Sequence, residues 1–562
     1  MGLRFVCVAA VAAVLLPPVG SSAAQSGSPS VSPPVGVGAS PTGSLILDQQ
    51  RPDRGPLAPG TPPPTMPPVT EGAVAGAARP PAQVMIRAIT LRGASLPEAQ
   101  LKAAWAPFIG RALDTSTLQA LANAVTGVYA SSDFAIYKVF IPVQTFAGGE
   151  VVIAVTEGYI GQVAITGDVE TRHLRLLKKY SAKLTEEKPL QKPRLERYLS
   201  LIRDIPGMVV EPKLTESRIE AAYLLTLDIE RKRVSREITI SDRGTPRLGR
   251  TQAQAVLVVN SLLQQGDQTR ITVAAPVEID PFQYYAISHS APIGSEGLRV
   301  TASIGRLRTR PKDSPITGEA TTAGVAFTYP LIRSYGENLY LTAGLDGQDS
   351  DNAVYGQTFS SDHTRAARLS LSWSKQSARQ ADAISATGSW GLDILGADAD
   401  ARLTDDDFKK LNLYLGRDRA LGEEWVARWR GTAQLSDGRL PAAEQLALGG
   451  EQFGRAFGSA TLTGDYGAAG SFELGWSSKS LWPRSLDGSE LYGFVDWGKV
   501  WIRSRFDGLL PEQEHDLGSV GAGVRLNWRR KVVFNVEGAK AIETPYGDDD
   551  PWKLLFGWRS LF

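Results

Sequence analysis

From Leu554 to the last residue nearly every second position is large and apolar: Leu554, Phe556, Trp558 and Phe562, with Ser560 as the one interruption. A period of two over about ten residues suits a strand with lipid on one face and a watery lumen on the other. A soluble edge strand has the same period and is the alternative for this segment taken alone. The pattern recurs upstream. Trp425, Ala427, Trp429, Gly431, Ala433 and Leu435 alternate with Val426, Arg428, Arg430, Thr432, Gln434 and Ser436. Val520, Ala522, Val524, Leu526 and Trp528 alternate with Gly521, Gly523, Arg525, Asn527 and Arg529. Charge opposite the apolar face points to a wet interior, which the dry core of a soluble β-sandwich does not offer. From Arg236 to Phe562, about 327 residues at roughly 20 per strand and loop predict a membrane β-barrel of about 16 antiparallel strands.

Ahead of that region the period switches between two and 3.6. Ile89 and Leu91 alternate as a strand that Gly93 ends, and Leu118, Leu121, Ala122, Val125 and Tyr129 form one helical face. Strand-like runs Ala135 to Ile141 and Glu150 to Val155 follow, joined by a turn at Gly148 and Gly149. The order then repeats. A strand through Ile165 closes at Gly167, helical stretches cover Leu174 to Lys183 and Leu195 to Arg203, and Pro206-Gly207 turns into strands Met208 to Lys213 and Ala222 to Ile229. Two copies of one small α+β module are therefore expected at 83–160 and 161–232, with the barrel at 233–562.

Composition adds a compartment. Met1 to Ala24 carries Arg4, an apolar run from Phe5 to Leu16, a Pro17-Pro18 break and small residues Ser22 and Ala24, the pattern of a secretory signal. Residues 25–82 are rich in Pro, Gly, Ser and Thr and read as a semi-extended linker, in which GSLILDQQR (Gly43 to Arg51) could form a short helix. The only cysteine, Cys7, lies within the signal, so no disulfide is expected, as suits an envelope protein of a Gram-negative cell. With 60 Lys and Arg against 59 Asp and Glu, a net charge of +1 gives no reason to expect nucleic acid as a partner.

Catalytic chemistry is not visible. The four histidines, His173, His289, His363 and His515, lack metal-ligand spacing, and neither a G-x-S-x-G elbow nor a P-loop occurs. Gly518, Gly521 and Gly523 resemble a nucleotide loop only superficially, because they sit in a strand with no helix after it. No enzyme activity and no cofactor are expected.

Several stretches together carry a family resemblance: the GSLILDQQR island before a Pro-rich linker, IPVQTFAGGEVVIAVTEGYI (Ile141 to Ile160), RDIPGMVV (Arg203 to Val210), TYPLIRSYGENLYLTAGL (Thr328 to Leu345) and LPAAEQLALGG (Leu440 to Gly450). In this order they resemble the TpsB transporters of two-partner secretion, the outer-membrane partners of haemolysin and filamentous haemagglutinin exoproteins. The resemblance covers nearly the whole chain and implies a plug helix at 43–51, two periplasmic POTRA domains and a barrel in the Gram-negative outer membrane. GGEQFGRAFGSATLTGDYG (Gly449 to Gly467) is similar to the family's inward-folded loop, with Arg455, Ala456 and Phe457 at the places of an Arg-Gly-aromatic motif. Ala456 replaces the usual glycine and puts the tip conformation in question, since glycine reaches φ values that alanine resists.

A lumen arginine needs a carboxylate, because an unpaired buried charge costs several kcal/mol. The expected partner is Asp496 in GFVDWGKVW, which is similar to the family's Phe-x-Asp-x-Gly strand and places Phe494, Asp496 and Gly498 on one face; that Asp496 only lines a wet pore is the alternative. The family further implies capture of a large unfolded exoprotein by strand addition to a POTRA edge, passage through the lumen without a nucleotide, a mainly monomeric state, and a carboxy-terminal signal (Phe556, Trp558, Phe562) read by the barrel assembly machinery. A POTRA-bearing factor that inserts other barrels is the second reading, and a passive porin or a barrel enzyme the third.

Overall fold

The computed structural model describes residues 73–74, 84–168, 174–398, 401–478, 480–529, 531–545 and 552–562. The expected signal peptide at 1–24 and helical island at 43–51 lie outside the described residues, as does the linker apart from 73–74.

Two modules of the same topology come first. The first contains β1 (Ala73–Val74), β2 (Ala88–Arg92), α1 (Glu98–Trp105), α2 (Thr115–Ala130), β3 (Tyr137–Ile141) and β4 (Glu150–Glu157). The second contains β5 (Tyr159–Gly167), α3 (Arg175–Thr185), α4 (Lys192–Arg203), β6 (Met208–Glu216) and β7 (Ala222–Arg231). In each, the strand before the helices runs parallel to the last strand and the middle strand pairs antiparallel with it. The helical face read from the sequence, Leu118 to Tyr129, is buried, and Asp114 caps α2 by accepting the Thr117 N–H at 2.7 Å. α1 is only eight residues long and is held by Leu101 and Trp105, both buried in the same core, since so short a helix has little stability without packing.

Sixteen strands then close into one barrel. They begin with β8 (Val234–Ser241), β9 (Gln252–Asn260), β10 (Gln268–Pro276), β11 (Phe282–Ile293) and β12 (Leu298–Thr309). The tallest part of the wall is β13 (Ile316–Arg333), β14 (Glu337–Val354) and β15 (Gln357–Gln376), followed by β16 (Gln380–Gly391), β17 (Lys409–Leu421) and β18 (Trp425–Ser436). A short hairpin, β19 (Leu446–Leu448) and β20 (Leu462–Gly464), stands inside a connection and is not part of the wall. The wall resumes with β21 (Tyr466–Trp476), β22 (Glu490–Ile502), β23 (Gln513–Trp528), β24 (Val532–Glu543) and β25 (Trp552–Leu561), and β25 pairs with β8 to close the ring. All neighbours in the ring are antiparallel, so every backbone rung within hydrocarbon is met by another strand. Among the described residues no helix is long and apolar enough to cross a membrane; the strands do so.

The period-two reading assigns the faces. On β22, Leu491, Val495 and Trp497 are exposed on the outer wall, while Tyr492, Phe494 and Asp496 are buried inside. On β23, Val520 faces out, and Gly521 and Gly523 leave room for the Phe494 and Tyr492 rings of the adjacent strand, whose atoms lie 2.6 and 2.5 Å from where a Cβ would stand. That packing explains the glycines without a nucleotide.

The second module docks on one mouth of the barrel. Arg333, the last residue of β13, forms a two-pronged pair with Asp204 at 2.6 and 2.7 Å. Arg197 on α4 donates to the carbonyls of Pro330 and Glu296, and Gln265 in the β9–β10 turn accepts the Leu176 N–H at 2.6 Å.

Candidate functional site in the barrel lumen

The connection from β18 to β21 leaves the wall at the mouth opposite the modules and folds back inside. Its hairpin β19–β20 carries residues 449–461, of which Phe453, Arg455, Ala456 and Phe457 are buried. Leu446, Leu448, Phe453, Phe457 and Leu462 pack with Tyr492, Phe494, Leu517 and Leu555 from β22, β23 and β25 into one apolar cluster. Irregular backbone at this depth is tolerable because protein and water, not lipid, surround it.

Positive φ falls at Gly454 (+79°), where a Cβ would stand 2.6 Å from Leu517, and Ala456 is not among the residues with positive φ. The alanine at the tip is therefore unstrained: the left-handed turn lies two residues earlier, at a glycine. The Ala456 N–H donates to Ser519 Oγ at 3.0 Å.

The charges differ from the expected single pair. Arg455 Nη1 donates to Glu473 on β21 at 2.7 Å and to Glu537 on β24 at 3.4 Å, whereas its Nε stays 3.9 Å from Asp496. Asp496 instead holds the loop backbone, accepting the N–H of Gly454 at 2.7 Å and of Arg455 at 3.4 Å. The cause is Phe494. The guanidinium lies 4.3 Å over its ring, and β21 places Glu473 directly across from Phe494, so the stacked cation faces Glu473. Gly498 is buried one step along the same face, beside Leu448 at the base of the hairpin.

The network extends along the wall. Glu473 also accepts from Arg428 at 2.9 Å and Arg525 at 3.5 Å, both of which reach Glu490, while Glu537 accepts from Arg243 at 2.7 Å and from the Tyr492 hydroxyl at 2.9 Å. A second anchor sits on the opposite arc. Glu444, ahead of the hairpin, receives Arg368 at 2.7 and 3.1 Å and Lys410 at 2.6 Å, and Arg368 also pairs with Asp346. The sequence reading did not select Glu473, Glu537 or Glu444. Glu473 left one trace: a lone acid in the inward register of a strand otherwise built from Gly, Ala and Ser on that face.

On β25, Phe556 is exposed on the outer wall, Trp558 is half-buried, and Phe562 exchanges backbone hydrogen bonds with Arg236. Among the described residues no group of three or more His, Cys, Asp or Glu could hold a metal ion.

Residues 225–526 match the model of the haemolysin secretion/activation protein family ShlB/FhaC/HecB, and residues 84–158 match the ShlB-type POTRA domain. The chain is 22% identical over 475 residues to the heme/hemopexin transporter protein HuxB of Haemophilus influenzae, covering 81% of this chain and 82% of that one. It is 24% identical over 469 residues to the outer membrane transporter CdiB of Escherichia coli, covering 78% and 79%. In fold it is similar to the solved CdiB structures from Escherichia coli (TM-score 0.68, 20% identity, 85% and 90% covered) and Acinetobacter baumannii (TM-score 0.60, 15% identity, 92% and 96% covered).

Proposed function

Because this chain belongs to the ShlB/FhaC/HecB family of haemolysin secretion/activation proteins, we propose that its barrel exports one large, unfolded exoprotein, captured in the periplasm by the two α+β modules and admitted when the lumen loop unlocks. The family consists of outer-membrane transporters with periplasmic POTRA domains, so the mouth that carries the modules is the periplasmic one.

The observation that carries the reading is a loop folded into the lumen, whose tip is tied to the wall by buried charge pairs beside a small apolar cluster. Ion pairs across a loop can exchange for water and for a passing chain, and the apolar side chains of the loop can be met by apolar segments of an unfolded chain. Capture is supported by the sheet edges: among the described residues β2 ends the first sheet, and β5 and β6 end the second, each with one side unpaired in the sheet order. An extended cargo segment can add there through backbone hydrogen bonds with little demand on sequence. The outward aromatics of β25 are the surface the barrel assembly machinery would read.

Deleting the chain should remove one large protein from the culture medium by mass spectrometry. Restoring it with Arg455→Ala should leave export at a tenth or less, with the barrel still heat-modifiable on gels; export at the native level by that variant would refute the loop-lock mechanism.

A further inference from the structure

The barrel closes through its thinnest junction. The ladder of β25 and β8 runs from Gly557↔Ser241 to Leu561↔Glu237, five residue pairs against seven to eighteen at every other wall junction among the described residues, and the two bonds between Arg236 and Phe562 extend it at the periplasmic end. At its extracellular end the junction is finished by Asp242, whose N–H donates to the Phe556 carbonyl at 3.3 Å and whose carboxylate accepts the Phe556 N–H at 2.9 Å, and the next residue, Arg243, turns into the lumen. Its guanidinium crosses over β25 to Glu537 on β24 at 2.7 Å, with both side chains 5% exposed or less. The same arginine is held by the loop tip. Its carbonyl accepts from Ser459 N–H at 3.3 Å and Ser459 Oγ at 3.2 Å, and its Nη1 donates to the Arg455 carbonyl at 3.5 Å. Glu537 is shared, since it also takes Arg455.

We propose that Arg243 is a positioning residue that couples the inward loop to the β8–β25 seam, so that unlocking the loop and loosening the extracellular end of the seam are one event. The inference rests on the reading of the loop as the gate. Arg243 and Arg455 share one carboxylate, Glu537. Withdrawal of the loop removes all three of its hydrogen bonds to Arg243 and one of the two cations on Glu537, leaving Arg243, two residues past the end of β8, tied to β24 through its pair with Glu537 alone. Charge-assisted hydrogen bonds of this kind are roughly twice as strong as neutral ones, and they act at a strand end held beside them by a short ladder and the two bonds between Asp242 and Phe556.

The test uses the full chain in outer-membrane vesicles in a Cys7→Ser background, which is thiol-free because Cys7 is the only cysteine. Ser241→Cys places a thiol in the seam at a position 8% exposed, and Thr342→Cys places one in the wall at a position 1% exposed. Maleimide labelling of Ser241→Cys should be at least tenfold faster with Arg243→Gln or Arg455→Ala than without, near the native rate with Arg243→Lys, and unchanged for Thr342→Cys throughout. A Ser241→Cys/Gly557→Cys pair, opposite each other in register, should lower export when oxidised and restore it on reduction. Unaltered Ser241→Cys labelling in the Arg243→Gln chain would overturn the coupling, and so would equal acceleration at Thr342→Cys, which would mark general loosening. Labelling needs no cargo: if export survives Arg455→Ala while seam labelling accelerates, the export gate falls and the coupling stands, and the reverse outcome removes the coupling alone.

Discussion

Glu473 pairs with three arginines, Arg428, Arg455 and Arg525, at a site where its own side chain is 5% exposed. Removing one member of a buried charged group costs about 3–5 kcal/mol, because its partners are left without compensation. Glu473→Gln should therefore lower the temperature at which the barrel unfolds on gels far more than Asp496→Asn, which keeps an oxygen for the Gly454 N–H and should cost about 1 kcal/mol. Equal losses in the two variants would return Asp496 to the role of main counter-ion. Arg455 was legible in the sequence because its motif is local. Glu473 was not, because its pairing depends on which residue of a strand 18 positions away faces Phe494, and only register supplies that.

At the scale of elements, local pattern and hydrogen bonding agree closely. The Pro142-x-Gln144 signature has a mechanical meaning: the Gln144 amide accepts the Val152 N–H and donates to the Val152 carbonyl, both at 2.8 Å, continuing the sheet where the β3–β4 connection has left it. Gln144→Ala should cost about 1–2 kcal/mol through these two bonds, and hydrogen exchange should show the Val152 amide losing protection while the α2 amides keep theirs. The long helix was legible from five apolar positions on one face, whereas α1 is too short for periodicity to distinguish from a loop. In the lumen hairpin, Gly454 shows the same division. Its presence is sequence, but that it and not residue 456 carries the left-handed turn, with Leu517 packed where a Cβ would stand, is visible only in the folded loop.

For the whole molecule, the second module and the barrel are joined by a small set of directed bonds, with the Arg333–Asp204 pair at their centre. Arg333 is nearly fully buried and Asp204 is 37% exposed, so water partly replaces the carboxylate when it is removed. Asp204→Ala should speed limited proteolysis in the 231–234 segment several-fold while leaving the barrel heat-modifiable; an unchanged cleavage rate would show that α4 and the turns suffice to hold the joint. Barrel closure, strand number, the inward and outward faces and the repeat of two modules follow from the sequence, because each depends on period, length and order along the chain, which lipid and water read locally. The partners of Arg455, the second anchor at Glu444 and the tie from Arg243 over the seam were decided only by tertiary structure. They join residues from 18 to 294 positions apart, and which side chains meet across a lumen depends on shear and loop path, which no stretch of the chain contains by itself.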